Sequence, residues 1–191
     1  MQAWHWPKGS KAAREGVLTA ASMTTFFTSD THFTDAYVIV RSRRPFASAA
    51  AMDATLIARW NEVVGPKDDV WHLGDFAGKL PQAALERLLD SLAGRKHLIV
   101  GNNDPPATQR LKGWESVQHY AELDVEGKHL VLCHYPFRTW NGIYKGAWNL
   151  HGHSHGQLKK MTRQVDVGVD VWDYRPVTLA QLTARRGRMA A

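Results

Sequence analysis

Thiols are almost missing from this chain. Cys133 is the sole cysteine, which excludes an intrachain disulfide and a thiolate-rich zinc site. Any metal centre must therefore be built from His, Asp or Asn. A reducing cytoplasm is the expected compartment. Long apolar runs are missing too, which excludes a membrane-spanning helix and leaves no membrane partner expected. The stretch "GVLTAASMTTFF" follows Lys8, Lys11 and Arg14 like a signal peptide, yet its three Thr and two Gly or Ser residues make a poor apolar region. Internal repeats and low-complexity tracts are also absent.

What remains describes one folded domain. The 191 residues are 44% apolar and include eight Trp, enough for a sizeable core. Net charge is +6, from 24 Lys+Arg against 18 Asp+Glu. The surplus clusters at Arg41, Arg43 and Arg44, at Lys159, Lys160 and Arg163, and at Arg185, Arg186 and Arg188. Such clusters suit a solvated surface, or attraction of a phosphorylated or polyanionic partner. Residues 1–22 are expected to form a poorly ordered extension, 23–180 the domain, and 181–191 a basic tail.

Periodicity supplies the elements. Strands are expected over 24–30, 69–75 and 96–104, and helices over 48–65 and 80–94. A hairpin over 117–135 turns at Glu126-Gly127. A loop follows over 138–148, then further strands ending near 165–171, then a short helix. Strands alternate with helices first and dominate later, which predicts a layered α/β sandwich.

Residues 149–157, "NLHGHSHGQ", raise a choice of chemistry. Gly152-His153-Ser154-His155-Gly156 fits the G-x-S-x-G elbow of a serine esterase, whose histidine follows the serine and an acid in the chain. His155 is the last histidine, so that order fails. The alternative is metal ligation by His153 and His155, whose i, i+2 spacing puts both on one side of an extended segment. Other strand-like segments also end in potential ligands: Asp30 and His32, Asp75, Asn102 to Asp104, and His134. In layered α/β folds such ends gather into one crevice.

This series of motifs resembles the calcineurin-like metallophosphoesterases, whose pattern is D-x-H, G-D, G-N-H-[DE], H and G-H-x-H. "SDTHF", "LGDF", "CHYP" and "LHGHSHG" are similar to the small single-domain bacterial and phage-type members. The resemblance implies a four-layer αββα sandwich and two divalent transition-metal ions, Mn²⁺ foremost, with Fe, Zn²⁺, Co²⁺ or Ni²⁺ as alternatives. Asp30, His32 and His155 would hold the first ion, Asn102, His134 and His153 the second, and Asp75 would bridge them. It implies hydrolysis of a phosphomonoester or phosphodiester by a hydroxide bridging the metals. A nuclease, with nucleic acid as partner, and a low-activity scaffold on the same fold are the alternatives. Asn103 replaces the family's proton-donating His; its amide can hydrogen-bond a substrate phosphate oxygen but cannot act as a general acid. Asp104 matches the family and would orient a neighbouring ligand. His151 suits either an outer catalytic role or packing. Arg138, Trp140 and Tyr144 crowd one loop that either stacks on substrate or folds over its own aromatics.

Overall fold

A computed structural model describes residues 23–187. The expected extension over 1–22 and residues 188–191 lie outside that range. The strands are β1 (Thr25–Thr28), β2 (Asp69–His72), β3 (Arg95–Ile99), β4 (Trp114–Gln118), β5 (Tyr120–Val125), β6 (Lys128–Cys133), β7 (Trp148–His151), β8 (Gln164–Asp166) and β9 (Val177–Thr178). The helices are α1 (Ala36–Arg41), α2 (Ala49–Val63), α3 (Gln82–Asp90), α4 (Pro106–Gln109) and α5 (Leu179–Gly187). One sheet has the order β4-β3-β2-β1-β9 and the other β5-β6-β7-β8.

Alternation along the first sheet's strands builds two cores. Phe26, Val70 and Leu98 face Met52, Leu56, Trp60, Leu85 and Leu89 of α2 and α3. Their neighbours Phe27, Trp71 and Ile99 face Leu130, Leu132 and Leu150 of the second sheet. Successive strand side chains point to opposite faces, so each buried strand serves both layers. In α2 the apolar residues recur every four positions, and the Ser48 side chain accepts a hydrogen bond from the Ala51 amide at its start. On the second sheet's outer face Val131 is covered by Trp140 and Ala147 from a loop with one 3-10 turn, Ile143–Lys145. The chain is thus a layered α/β sandwich whose outermost layer is thin.

The structure departs from the sequence pattern at three places. Helix α1 carries no sequence signal, because Val38, Ile39 and Val40 are β-branched; the Asp35 side chain caps it at Tyr37. The pattern "VDVGVDV" stops being a strand after Asp166. The Asp166 carboxylate accepts from the Gly168 amide at 2.7 Å, a local turn bond that competes with strand pairing. Val169–Val171 then form a 3-10 turn. Finally, the boundary at 180 falls inside α5, whose Leu182 is buried in the inter-sheet core. No helix among the described residues is long and apolar enough to cross a membrane.

Candidate metal centre

Strands β1, β2 and β3 run parallel in one sheet, as do β6 and β7 in the other. Their C-terminal ends meet at one edge of the sandwich, and the expected ligands converge there. Asp30, His32 and His155 offer ligand atoms that all lie within 4.8 Å of one another, and so do those of Asp30, Asp75 and His134. Asp30 thus sits in both groups. Asn102 Oδ1 lies 3.0 Å from His134 Nε2, and the His153 ring packs 5.1 Å from that of His134.

The backbone reaches this arrangement by unusual conformations. Asp30, His32, Asp75, His153 and His155 all have positive φ, between 47° and 66°. Each such non-glycine residue costs about 1–3 kcal/mol and persists only where its surroundings enforce it. Two glycines permit the crowding. A Cβ on Gly74 would meet His134 Nδ1 at 2.6 Å, and a Cβ on Gly152 would collide with Ser29 Oγ and Asp30 Oδ2.

Three imidazoles are oriented alike. Each Nδ1 faces an outer oxygen, and each Nε2 faces the buried carboxylates. His134 Nδ1 donates to the Leu73 carbonyl at 2.7 Å, and His155 Nδ1 donates to Asp170 Oδ2 at 2.7 Å. His32 Nδ1 lies 3.6 Å from Asp35 Oδ2. Inward, His32 Nε2 lies 3.4 Å from Asp75 Oδ2, His134 Nε2 3.6 Å from Asp75 Oδ1, and His155 Nε2 3.9 Å from Asp30 Oδ1. This is how proteins fix metal-ligating histidines.

The electrostatics call for cations. His32 Nε2 is buried with no hydrogen-bond partner among the described residues, a costly state for a polar atom. Burial pushes the Asp30 carboxyl up to about 8, with Asp75 adding to the effect and His155 opposing it. Burial likewise lowers His32 to about 4. Two acidic side chains and several imidazoles in one buried site match the donor chemistry of divalent transition metals.

An outer ring of residues holds the ligands. The Asp104 carboxylate accepts from the amides of Asp75, Phe76 and Gly101, each at 2.8 Å. Asn103 donates to Asp75 twice, from its backbone at 2.8 Å and its side chain at 2.7 Å. Arg44 is buried, which corrects its place in a solvated basic cluster. Its guanidinium bonds Asp170 through two nitrogens, both at 2.8 Å, and donates to the Asp30 carbonyl at 2.6 Å and the Thr31 carbonyl at 2.9 Å. Sequence reasoning found neither Arg44 nor Asp170 as a site residue. Nothing local marks them, since they lie 126 positions apart.

Other expected residues sit elsewhere. Trp140 is buried, and its indole donates to the Ala147 carbonyl at 3.0 Å, so the loop folds over its own aromatic ring and Trp140 cannot stack on substrate. Arg138 and Tyr144 are exposed on this loop and do not line the cleft over His153 and His155. His151 is buried, its Nδ1 donates to the Gly152 carbonyl at 2.8 Å, and it lines a cavity with Asp166, Val171 and Trp172. That favours packing over catalysis. Ser154 Oγ donates to Asp166 Oδ2 at 2.7 Å with no histidine between them, which removes the serine-esterase reading.

Residues 23–171 match a family model described as the calcineurin-like phosphoesterase superfamily domain. The chain is 32% identical over 162 residues to the uncharacterized protein MJ1445 of Methanocaldococcus jannaschii, covering 81% of this chain and 86% of that protein. It is 34% identical over 178 residues to the Gene 66 protein of Mycobacterium phage D29, covering 77% and 88%. The crystal structure of AQ665, a protein of unknown function from Aquifex aeolicus, superposes with a TM-score of 0.70 at 22% identity, covering 85% of this chain and 98% of that one.

Proposed function

The chain belongs to the calcineurin-like phosphoesterase superfamily, and on that premise we propose that it hydrolyses phosphoric esters with two divalent metal ions. Asp30, His32 and His155 would hold one ion, Asn102, His134 and His153 the other, and Asp75 would serve both with its two oxygens. Mn²⁺, the ion expected foremost, Fe, Zn²⁺, Co²⁺ and Ni²⁺ all accept a mix of imidazole and oxygen donors. When bound, such ions supply Lewis acidity toward the phosphoryl oxygens and a nucleophile at neutral pH.

The protein's own groups do the rest. Leu73 and Asp170 hold the His134 and His155 rings so that Nε2 carries the free lone pair. Asp104 fixes the backbone on which Asp75 stands, and the two Asn103 donors fix the Asp75 carboxylate itself. Asn103 gives the leaving group no proton, because its amide nitrogen is not acidic. The lone, buried thiol of Cys133 suits a cytoplasmic setting.

The observation that carries this reading is the buried His32 Nε2, which lacks a hydrogen-bond partner among the described residues and faces Asp75. The test is metal analysis of protein stripped and reloaded with Mn²⁺, with turnover of an aryl phosphomonoester and a bis-aryl phosphodiester. Two ions per chain and metal-dependent turnover are expected. Asp75→Asn should lose both, since an amide offers one good ligand oxygen. Near wild-type turnover with two ions in that variant would sink the assignment.

A further inference from the structure

The cleft above the ligand loop contains a cation that nothing in the metal centre uses. We propose that Arg41 binds the substrate's phosphate and thereby favours dianionic phosphomonoesters over monoanionic diesters. This rests on the phosphoesterase reading and deepens it.

Arg41 is the last residue of α1 and is exposed. It lines a cleft of about 410 Å³ together with Pro136, His153, Ser154, His155 and Leu158. Two of those are expected ligands, so Arg41 and part of the candidate metal centre border the same space.

Some arginines are already engaged, while Arg43, Arg87, Arg110 and Arg138 also show no side-chain partner among the described residues; Arg41 differs from these in lining the cleft. Arg44, three residues on, is saturated by Asp170 and two carbonyls. Arg59, Arg95 and Arg175 each pair with a carboxylate. Among the described residues no hydrogen bond or ion pair engages Arg41. A guanidinium presents a planar fork of donors that matches two oxygens of one phosphate. Attraction scales with the charge it meets, so a phosphate with two negative charges gains more than a diester with one. Pro136 and Leu158 give the same cleft an apolar flank for the ester's organic part.

The alternative is a solvated surface arginine, and the experiment separates the two. Wild type, Arg41→Ala, Arg41→Lys and Arg87→Ala are compared after Mn²⁺ loading. Arg87 lies exposed on α3, so its variant removes the same charge elsewhere. The measurements are bound metal, inhibition by inorganic phosphate, and kcat/KM for nitrophenyl phosphate and bis-nitrophenyl phosphate. Arg41→Ala should keep its metal and lose roughly 10–100-fold in kcat/KM on the monoester, the size of a charged hydrogen-bonding contact. The loss on the diester should be smaller, and phosphate inhibition should weaken in parallel. Arg41→Lys should recover part of the loss, and Arg87→Ala should match wild type. Wild-type values for Arg41→Ala, equal losses on both esters, or loss of bound metal would each overturn the proposal. A wild-type protein without metal-dependent hydrolysis would instead bring down the phosphoesterase reading, and this inference with it.

Discussion

Replacing Asp170 by Asn tests whether the outer carboxylate supports both the fold and the metal site. The side chains of Arg44 and Asp170 are 0% and 9% exposed, so solvent screens their pairing little. Asp170 accepts three hydrogen bonds: Arg44 Nε on Oδ1 at 2.8 Å, Arg44 Nη2 on Oδ2 at 2.8 Å, and His155 Nδ1 on Oδ2 at 2.7 Å. An asparagine is best placed with its oxygen at the Oδ2 position, which keeps two bonds and turns its NH₂ against Arg44 Nε. Removing one partner of a buried pair costs roughly 3–5 kcal/mol. The retained bonds put this variant at the lower end, about 3 kcal/mol, or a fall in Tm of roughly 6–12 °C for a domain of this size. Metal affinity should drop about 10–100-fold, because the anion that orients His155 is gone. The carboxyl of Asp170 titrates below its ordinary 3.8: burial pushes it up, but the bonds from His155 and Arg44 outweigh burial. A depressed carboxyl contributes stability above its unfolded value and loses it as pH falls through the folded one. The gap between wild type and variant should therefore be full at neutral pH and close below about pH 4. Urea melts across pH and metal competition against a chelator measure both effects. Unchanged metal affinity alongside lowered stability would refute the orienting role, and unchanged stability would refute the buried-pair argument.

Asn103→His should raise turnover of alkyl phosphates more than that of nitrophenyl esters and flatten the dependence on leaving-group pKa, since general acid catalysis is worth about 10²–10⁴-fold; equal slopes in a series of esters would mean the proton comes from another group. Ser154→Ala should stay within a few-fold of wild-type activity and lose about 1 kcal/mol of stability with its bond to Asp166; covalent labelling of Ser154 by a fluorophosphonate would contradict that. His72 is buried against Trp60, Phe76 and Trp114 with Nδ1 unpartnered among the described residues, and burial lowers it to about 3. Its unfolded form takes up a proton below about pH 6.5 while the folded form does not, so it should remove up to about 1.4 kcal/mol of stability per pH unit as pH falls. His72→Leu should show a shallower acid slope in urea melts, and matching slopes would assign the acid sensitivity elsewhere.

The sequence by itself supplied the candidate ligand set, the family resemblance and most of the elements. Each ligand stands in a short motif at a strand end, where composition and spacing over a few residues carry the information. The α2 helix and the β5–β6 hairpin were legible for the same local reason. Tertiary structure alone decided which of two arginines, three positions apart, is a buried strut and which faces the cleft. Arg44 turns inward to meet Asp170 from the far end of the chain, while Arg41 ends a helix whose β-branched residues gave no helical signal. The same holds for the positive φ at five expected ligands, imposed by two sheets closing on one edge, and for Trp140, whose burial depends on Val131 in the strand beneath it. Local chemistry is written in neighbouring residues. The partners of a side chain across the fold are set by how the layers pack, and that is a long-range property which periodicity and motif spacing do not encode.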